Sequence, residues 1–326
     1  MKIVFITDGG AQMGMGHVQQ STTLAKELSD RAEICFLTKS DETVVSQMKD
    51  AGFTTFKLNS DSEIADLLQE IKPDIVIIDK LDVAEDFAME LKNSLKAKLA
   101  IFTNQTPSNK YADIAVNAVM GSDFKNTKYL DEKTNTLYFY GPRYWILRKE
   151  FYEFKRKGKT LSDKIERIML LFGGSDSSNL TSIVLNELLC LENDYKIDVI
   201  MGTHFEHLDT LNQVFAQYPN KKGNVILYKN IKNVAELMYK TDLVIASPGL
   251  SVFEALCVGT PVIVMHHNLW QKNGFAGLVD TLDKSEVGKL KDMIAEGDFL
   301  DPRLEYIARL EIGEGKEELI ETIIGG

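Results

Sequence analysis

Residues 166–179 read ERIMLLFGGSDSSN. The apolar run RIMLLF has no polar alternation, and it passes directly into paired glycines and then into Ser, Asp and Asn. Such a run is the habit of a strand buried on both faces, as in parallel sheets covered by helices. The polar residues behind the glycines are those that start helices. The segment therefore reads as strand, tight turn, helix. The same reading already applies at the start of the chain, where KIVFIT (2–7) runs into GAQMGMGHVQQS (10–21). The pattern begins twice, and that decides the fold.

Outward from the first start, AEICFLT (32–38), DIVIID (74–79), KLAIFT (98–103) and ADIAVN (112–117) read as further strands. HVQQSTTLAKELSD and SEIADLLQEIK place apolar residues at helical spacing between them. Residues 118–165 interrupt the rhythm with the aromatic-rich YFYGPRYWILRKEFYEF and the basic run KRKGK, which reads as a solvated linker. Beyond the second start, KIDVIMG, NVILYK, DLVIAS and PVIVMH supply a second set of strands. The expected architecture is α/β, with two doubly wound Rossmann-like domains facing across a cleft. The expected boundaries are 1–142 for the first domain, 143–165 for a connection and 166–326 for the second, with the last helix packing back on the first.

The 326 residues carry a net charge of −11. That balance excludes a broad nucleic-acid surface, which needs clustered Lys and Arg. Cys35, Cys190 and Cys257 are scattered and odd in number, as expected of free thiols in a reducing compartment. The start MKIVFITDGG reaches Asp8 too soon to read as a leader, and no apolar run approaches the roughly 20 residues that span a bilayer. A soluble cytoplasmic protein with no integral membrane segment is expected.

Three loops carry chemistry. In the 173–179 loop, Gly173 and Gly174 let the backbone approach an anion, and the following helix offers its first amides. Ser, Asp or Asn there also serves as a plain N-cap. In DLVIASPGLSVFEALCVGTPVIVM (242–265), Glu254 follows Ser251 by three residues. This is either a capping box or a carboxylate for the two hydroxyls of a ribose. In the first loop His17 stands where a helix begins, beside Gly14 and Gly16, which leave space. A helix N-terminus lowers a histidine's pKa, favouring the neutral form that a general base requires. His204 and His207 have His-x-x-His spacing, but no third ligand stands at metal spacing, so neither metal nor cofactor is expected.

FGGSD together with ASPGLSVFEALCVGTPVIV resembles the nucleotide-sugar half of glycosyltransferases of the GT-B fold. Closer is a resemblance to the UDP-sugar hydrolase family of pseudaminic acid synthesis, which shares that fold. MGMGHVQQS is similar to its GxGHxxR loop, YGPRYWILRKEF to its connection, and GGSDSSNLT and the S-x-x-E-A-L helix to its nucleotide loops. The resemblance covers most of the chain and implies a UDP-sugar substrate. Glu254 would bind the ribose. Gly173, Gly174, Ser175, Gly249, Leu250 and Ser251 would surround the diphosphate, and Ile231 would hold the uracil edge. His17 would be the catalytic base that activates water against the anomeric carbon. Asp8, Gly14, Gly16 and Asn268 would line the sugar side. A glycosyltransferase would use the same site with an acceptor hydroxyl in place of water. The family arginine after the histidine is Gln20 here, the tyrosine of its D-x-Y element is Leu81 behind Asp79, and its Asp-Asp pair is replaced by TNQT (103–106).

Overall fold

Both apolar starts form the first strand of a parallel sheet. The computed structural model describes residues 1–10, 13–119, 125–162, 164–229, 231, 233–266, 269–275, 277–296 and 307–325. It divides into two units: Met1–Ile146 with Gly313–Gly326, and Leu147–Ile312. Residues 143–165, expected as a separate connection, fall on both sides of that division.

In the first unit the sheet order is β3-β2-β1-β4-β5-β6-β8-β7. Its strands are β1 (Lys2–Thr7), β2 (Glu33–Thr38), β3 (Thr54–Lys57), β4 (Ile75–Asp79), β5 (Lys98–Phe102), β6 (Ile114–Asn117), β7 (Thr127–Asp131) and β8 (Thr136–Tyr140). All pairings are parallel except β7 with β8. The helices are α1 (Gly16–Leu28), α2 (Glu42–Asp50), α3 (Ser62–Ile71) and α4 (Glu85–Ser94). Alternation along β1 and β4 splits the core between the two faces. Ile3, Phe5, Ile75 and Ile77 pack with Leu24 and Leu28 of α1. Val4, Ile6, Val76 and Ile78 pack with Ile64 and Leu68 of α3 and Leu91 of α4.

A helix from the far end of the chain, Lys316–Ile324, completes the first of these faces through Leu319, Ile320 and Ile323. Arg31 holds it by two donations to Glu321 at 2.7 and 2.8 Å, and Lys316 pairs with Glu27 at 3.1 Å. Its entry is tight: a Cβ on Gly315 would stand 2.7 Å from the Tyr144 ring.

The second unit repeats the plan. Its sheet order is β11-β10-β9-β12-β13-β14, all parallel. The strands are β9 (Arg167–Leu171), β10 (Lys196–Met201), β11 (Val225–Lys229), β12 (Leu243–Ala246), β13 (Val262–Met265) and β14 (Asp280–Leu282). The helices are α5 (Lys149–Lys157), α6 (Leu180–Cys190), α7 (Leu208–Gln217), α8 (Val234–Lys240), α9 (Leu250–Cys257), α10 (Leu269–Phe275) and α11 (Leu290–Glu296), so Lys316–Ile324 is α12. The basic run is not a free linker. Lys155–Lys157 close α5, and Lys159 donates to the carbonyls of Tyr239 and Thr241.

Leu319 is fully buried among side chains of α1 and the first sheet. Leu319→Ala is expected to lower the stability of the first unit by about 3 kcal/mol, the usual cost of a cavity at such a position. Denaturant unfolding followed by a first-unit probe checks this; an unchanged midpoint would mean that α12 is not part of that core.

Candidate active site

Both sheets reverse direction of growth beside their first strand, between β1 and β4 and between β9 and β12. In open α/β sheets the ligand lies beyond the carboxyl ends of the strands at that switch point. Register sets Thr7 against Asp79 in the first sheet and Leu171 against Ala246 in the second. The three loops singled out from the sequence leave from three of these strand ends, those of β1, β9 and β12.

In the first unit the switch point is organised by Asp79, which is 1% exposed. His17 Nδ1 meets its Oδ1 at 2.7 Å, and Thr103 Oγ1 donates to the same oxygen at 3.0 Å. Gln20 Nε2 and Ser21 Oγ donate to Oδ2, each at 3.1 Å. His17, Gln20 and Ser21 occupy positions i, i+3 and i+4 of α1, so one helix face delivers all three. Gln20 Nε2 also reaches Thr103 Oγ1 at 3.2 Å. With its Nδ1–H held by the carboxylate, the neutral imidazole keeps Nε2 as its basic nitrogen.

The His17 pKa is raised above 6.5, not lowered as expected from its place at a helix start. Burial alone would lower it. The charge of Asp79 and the hydrogen bond to it outweigh burial, with Asp82 and Asp8 adding to the effect. The partial charge of a helix end is smaller than a full carboxylate in contact.

Asp8 is engaged rather than open. It accepts from the Lys39 amide at 2.6 Å and from Thr38 Oγ1 at 3.2 Å, and it pairs with Lys80 at 2.8 Å. Gly10 and Gly14 exchange backbone hydrogen bonds at 3.1 and 2.8 Å, which closes the loop in front of α1. Gly14 has φ +78°, and a Cβ there or on Gly16 would meet nothing within 4 Å. The two glycines expected to leave space thus have free room on the side where a Cβ would stand.

In the second unit Gly173 has φ +78°, which carries the chain out of β9. Asp176 then turns back and accepts from the amides of Leu180 at 2.8 Å and Thr181 at 2.9 Å. The first amides of α6 were expected to be available to an anion; a buried carboxylate occupies these two. Burial raises the Asp176 pKa, against the pull of those amides and of His207. His207 Nε2 lies 2.9 Å from the Asp176 carbonyl, so it braces this loop. Gly202 lets the end of β10 press on the loop: a Cβ there would lie 2.2 Å from the Gly174 carbonyl oxygen. Gly174 and Ser175 are half-buried.

Gly249 is exposed, and Leu250 and Ser251 open α9. No side chain caps this helix, so Ser251 and Glu254 do not form a capping box. Glu254 is instead 5% exposed and accepts from Arg148 Nη2 at 3.2 Å. Arg148 also contacts Glu150 at 3.1 Å and lies over the Phe151 ring. Burial pushes the Glu254 carboxyl up while Arg148 pulls it back. Ile231 is half-buried just beyond β11. Asn268 lies outside the described residues.

The sequence reading noted Asp79 without assigning it a role, and it missed Ser21, Thr103, Arg148 and Gly202; for Asp176 it offered the helix-capping role that the structure shows. The i, i+3, i+4 spacing of His17, Gln20 and Ser21 was the available signal on the first side. Arg148 stood inside the quoted YGPRYWILRKEF motif.

Comparison with known proteins agrees with the two-domain fold. Residues 168–268 match the glycosyltransferase family 28 C-terminal domain. MurG of Acinetobacter baumannii superposes with a TM-score of 0.66 at 15% identity, over all of both chains. The spinosyn rhamnosyltransferase SpnG superposes at 0.65 with 12% identity, also over all of both chains. The chain has the GT-B fold, with two Rossmann-like α/β domains. It is 45% identical to an uncharacterised protein of Methanocaldococcus jannaschii over 99% of this chain, and spans 66% of that protein's length. It is 27% identical to the spore coat polysaccharide biosynthesis protein SpsG of Bacillus subtilis, over 81% of this chain and 77% of that one. It is 26% identical to the UDP-2,4-diacetamido-2,4,6-trideoxy-beta-L-altropyranose hydrolase of Campylobacter jejuni, over 78% of this chain and 88% of that one. Among the described residues no helix is long and apolar enough to cross a membrane.

Gly202→Ala is expected to destabilise the second unit by about 1–3 kcal/mol, the range for overpacking. Denaturant unfolding of the variant checks this. A wild-type midpoint would show that the Gly173–Gly174 loop does not need the close approach.

Proposed function

We propose that this chain is a nucleotide-sugar hydrolase acting on a UDP-sugar, with His17 as general base. The observation that carries the reading is the 2.7 Å contact between His17 Nδ1 and the buried Asp79. That pairing fixes the ring, leaves Nε2 as the basic nitrogen and stabilises the imidazolium formed on proton uptake. His17 would take a proton from water as the water oxygen bonds to the anomeric carbon. The bond from that carbon to the diphosphate oxygen breaks on the opposite face, and UDP leaves with the electron pair. Asp8 and the Gly14–Gly16 loop would line the sugar, with Asn268 proposed from the sequence alone.

The nucleotide would be held by the second unit. Glu254 is proposed to accept from the ribose hydroxyls, Ile231 to hold the uracil edge through its backbone, and Gly173, Gly174, Ser175, Gly249, Leu250 and Ser251 to surround the diphosphate. Backbone donors preorganised at the leaving group are an effective electrostatic device. Support for the substrate class comes from the family 28 match over the second unit and from the named hydrolase among the relatives. The name of SpsG supports a place in surface-glycan synthesis. The pseudaminic acid branch is proposed from the sequence resemblance, together with a cytoplasmic location.

A panel of UDP- and CMP-sugars tests the reading, with nucleotide release followed without acceptor. Release from a UDP-sugar is expected, and His17→Ala should slow it by about two to four orders of magnitude while UDP binding persists. Release only when an acceptor is added would replace the hydrolase by the glycosyltransferase that the family 28 match also fits. Near-normal activity of His17→Ala would remove His17 from the chemistry.

A further inference from the structure

We propose that His266, Asp283 and Glu286 form a binding site for a divalent transition-metal cation of the zinc type. The topology of the second sheet builds it. β13 and β14 pair in parallel with Met265 beside Leu282, so His266 and Asp283 are the next residues out of two neighbouring strand ends. The His266 amide donates to the Leu282 carbonyl at 2.8 Å, which holds that register. Asp283 then caps a 3-10 turn over Lys284–Lys289 in a capping box with Glu286. With three residues to a turn, Glu286 comes round to the side of its cap.

The imidazole needs an explanation. His266 is 4% exposed, and neither ring nitrogen has a hydrogen-bond partner. Buried polar groups are satisfied with few exceptions, and each exception calls for a physical cause. One ligand atom from each of His266, Asp283 and Glu286 lies within 4.8 Å of the other two. Two donors on one tetrahedral zinc stand about 3.4 Å apart, so side-chain rotations of roughly an ångström would close the set. The carboxylates retain capacity for this. The Asp283 contacts to Ser285 and to the Glu286 amide all use Oδ1, which leaves Oδ2. Glu286 accepts the Asp283 amide on Oε2 and Lys289 on Oε1, one contact for each oxygen.

One imidazole and two carboxylates suit Zn²⁺ better than Mg²⁺, which prefers an all-oxygen shell. Three protein ligands leave a fourth position for water. The ion would tie the edge strand β14 to β13.

The test uses the full chain, freed of metal with a chelator and dialysed against zinc chloride. Bound metal is measured by mass spectrometry and the melting temperature is recorded with and without the ion. Wild type should hold one Zn²⁺ per chain and melt higher with it, since a ligand that binds only the folded state stabilises it. His266→Gln and Glu286→Gln should each weaken Zn²⁺ binding at least tenfold, and magnesium chloride should not compete. Glu286→Gln leaves the buried imidazole in place, so it remains informative if His266→Gln folds poorly. Absence of stoichiometric zinc in wild type would overturn the proposal, leaving a bridging water as the partner of His266. Wild-type affinity in Glu286→Gln would overturn it as well.

Discussion

A carboxylate sealed from water must be met by donors, and in the first unit that requirement falls on Asp79. Four side chains answer it, from α1 and from the end of β5. An unpaired charge at that depth would be far more costly than any one of these contacts is stabilising. The spacing on α1 follows from this demand. So does the backbone at Thr103, a β-branched residue held at φ +61°. Such a conformation costs on the order of 1–3 kcal/mol and persists where surrounding contacts dictate it. Here it brings the Thr103 hydroxyl within 3.0 Å of Asp79. His17 is therefore oriented by a rigid polar cluster rather than by the glycine loop before it.

The second unit meets the same physical problem with different partners. Glu254 is balanced by Arg148, and Asp176 by two helix amides. In each case burial raises the carboxyl pKa and the partners oppose it. The Arg148–Glu254 contact gives the α5 region a purpose that its basic composition conceals: the residue leading into α5 supplies the counter-charge of a buried acid on α9. The proposed ribose contact would add donors to a carboxylate that Arg148 already holds in place.

The doubly wound architecture was legible because buried parallel strands leave continuous apolar runs, and ten such runs correspond to strands. Four strands were not read: β3 and β7 are mostly exposed, β14 has only three residues, and β8 lies in the 118–165 stretch where the rhythm reads as interrupted. The GT-B reading came from the loops between strands, whose order the structure reproduces. His17 was found because histidine is rare in this chain and stood behind glycines. Its electrostatics were misread, because the decisive partner is Asp79, far off in sequence and brought in by β1–β4 pairing. The Ser251–Glu254 spacing invited a capping box for the same reason: local spacing is visible in a sequence, and a long-range counter-charge such as Arg148 is not. The cluster of His266, Asp283 and Glu286 was invisible on the same ground, as it depends on which strands lie side by side.

The account rests most directly on the coupling of His17 to Asp79. The measurement that tests it is the pH titration of the His17 ring by nuclear magnetic resonance, in wild type and in Asp79→Asn. In wild type the ring should titrate above 6.5, with the proton of the neutral form on Nδ1. In Asp79→Asn the carboxylate charge is gone while burial remains, so the pKa should fall below the wild-type value and the tautomer preference should weaken. Equal titration in the two proteins would contradict the account, because the buried carboxylate would then not set the state of the histidine.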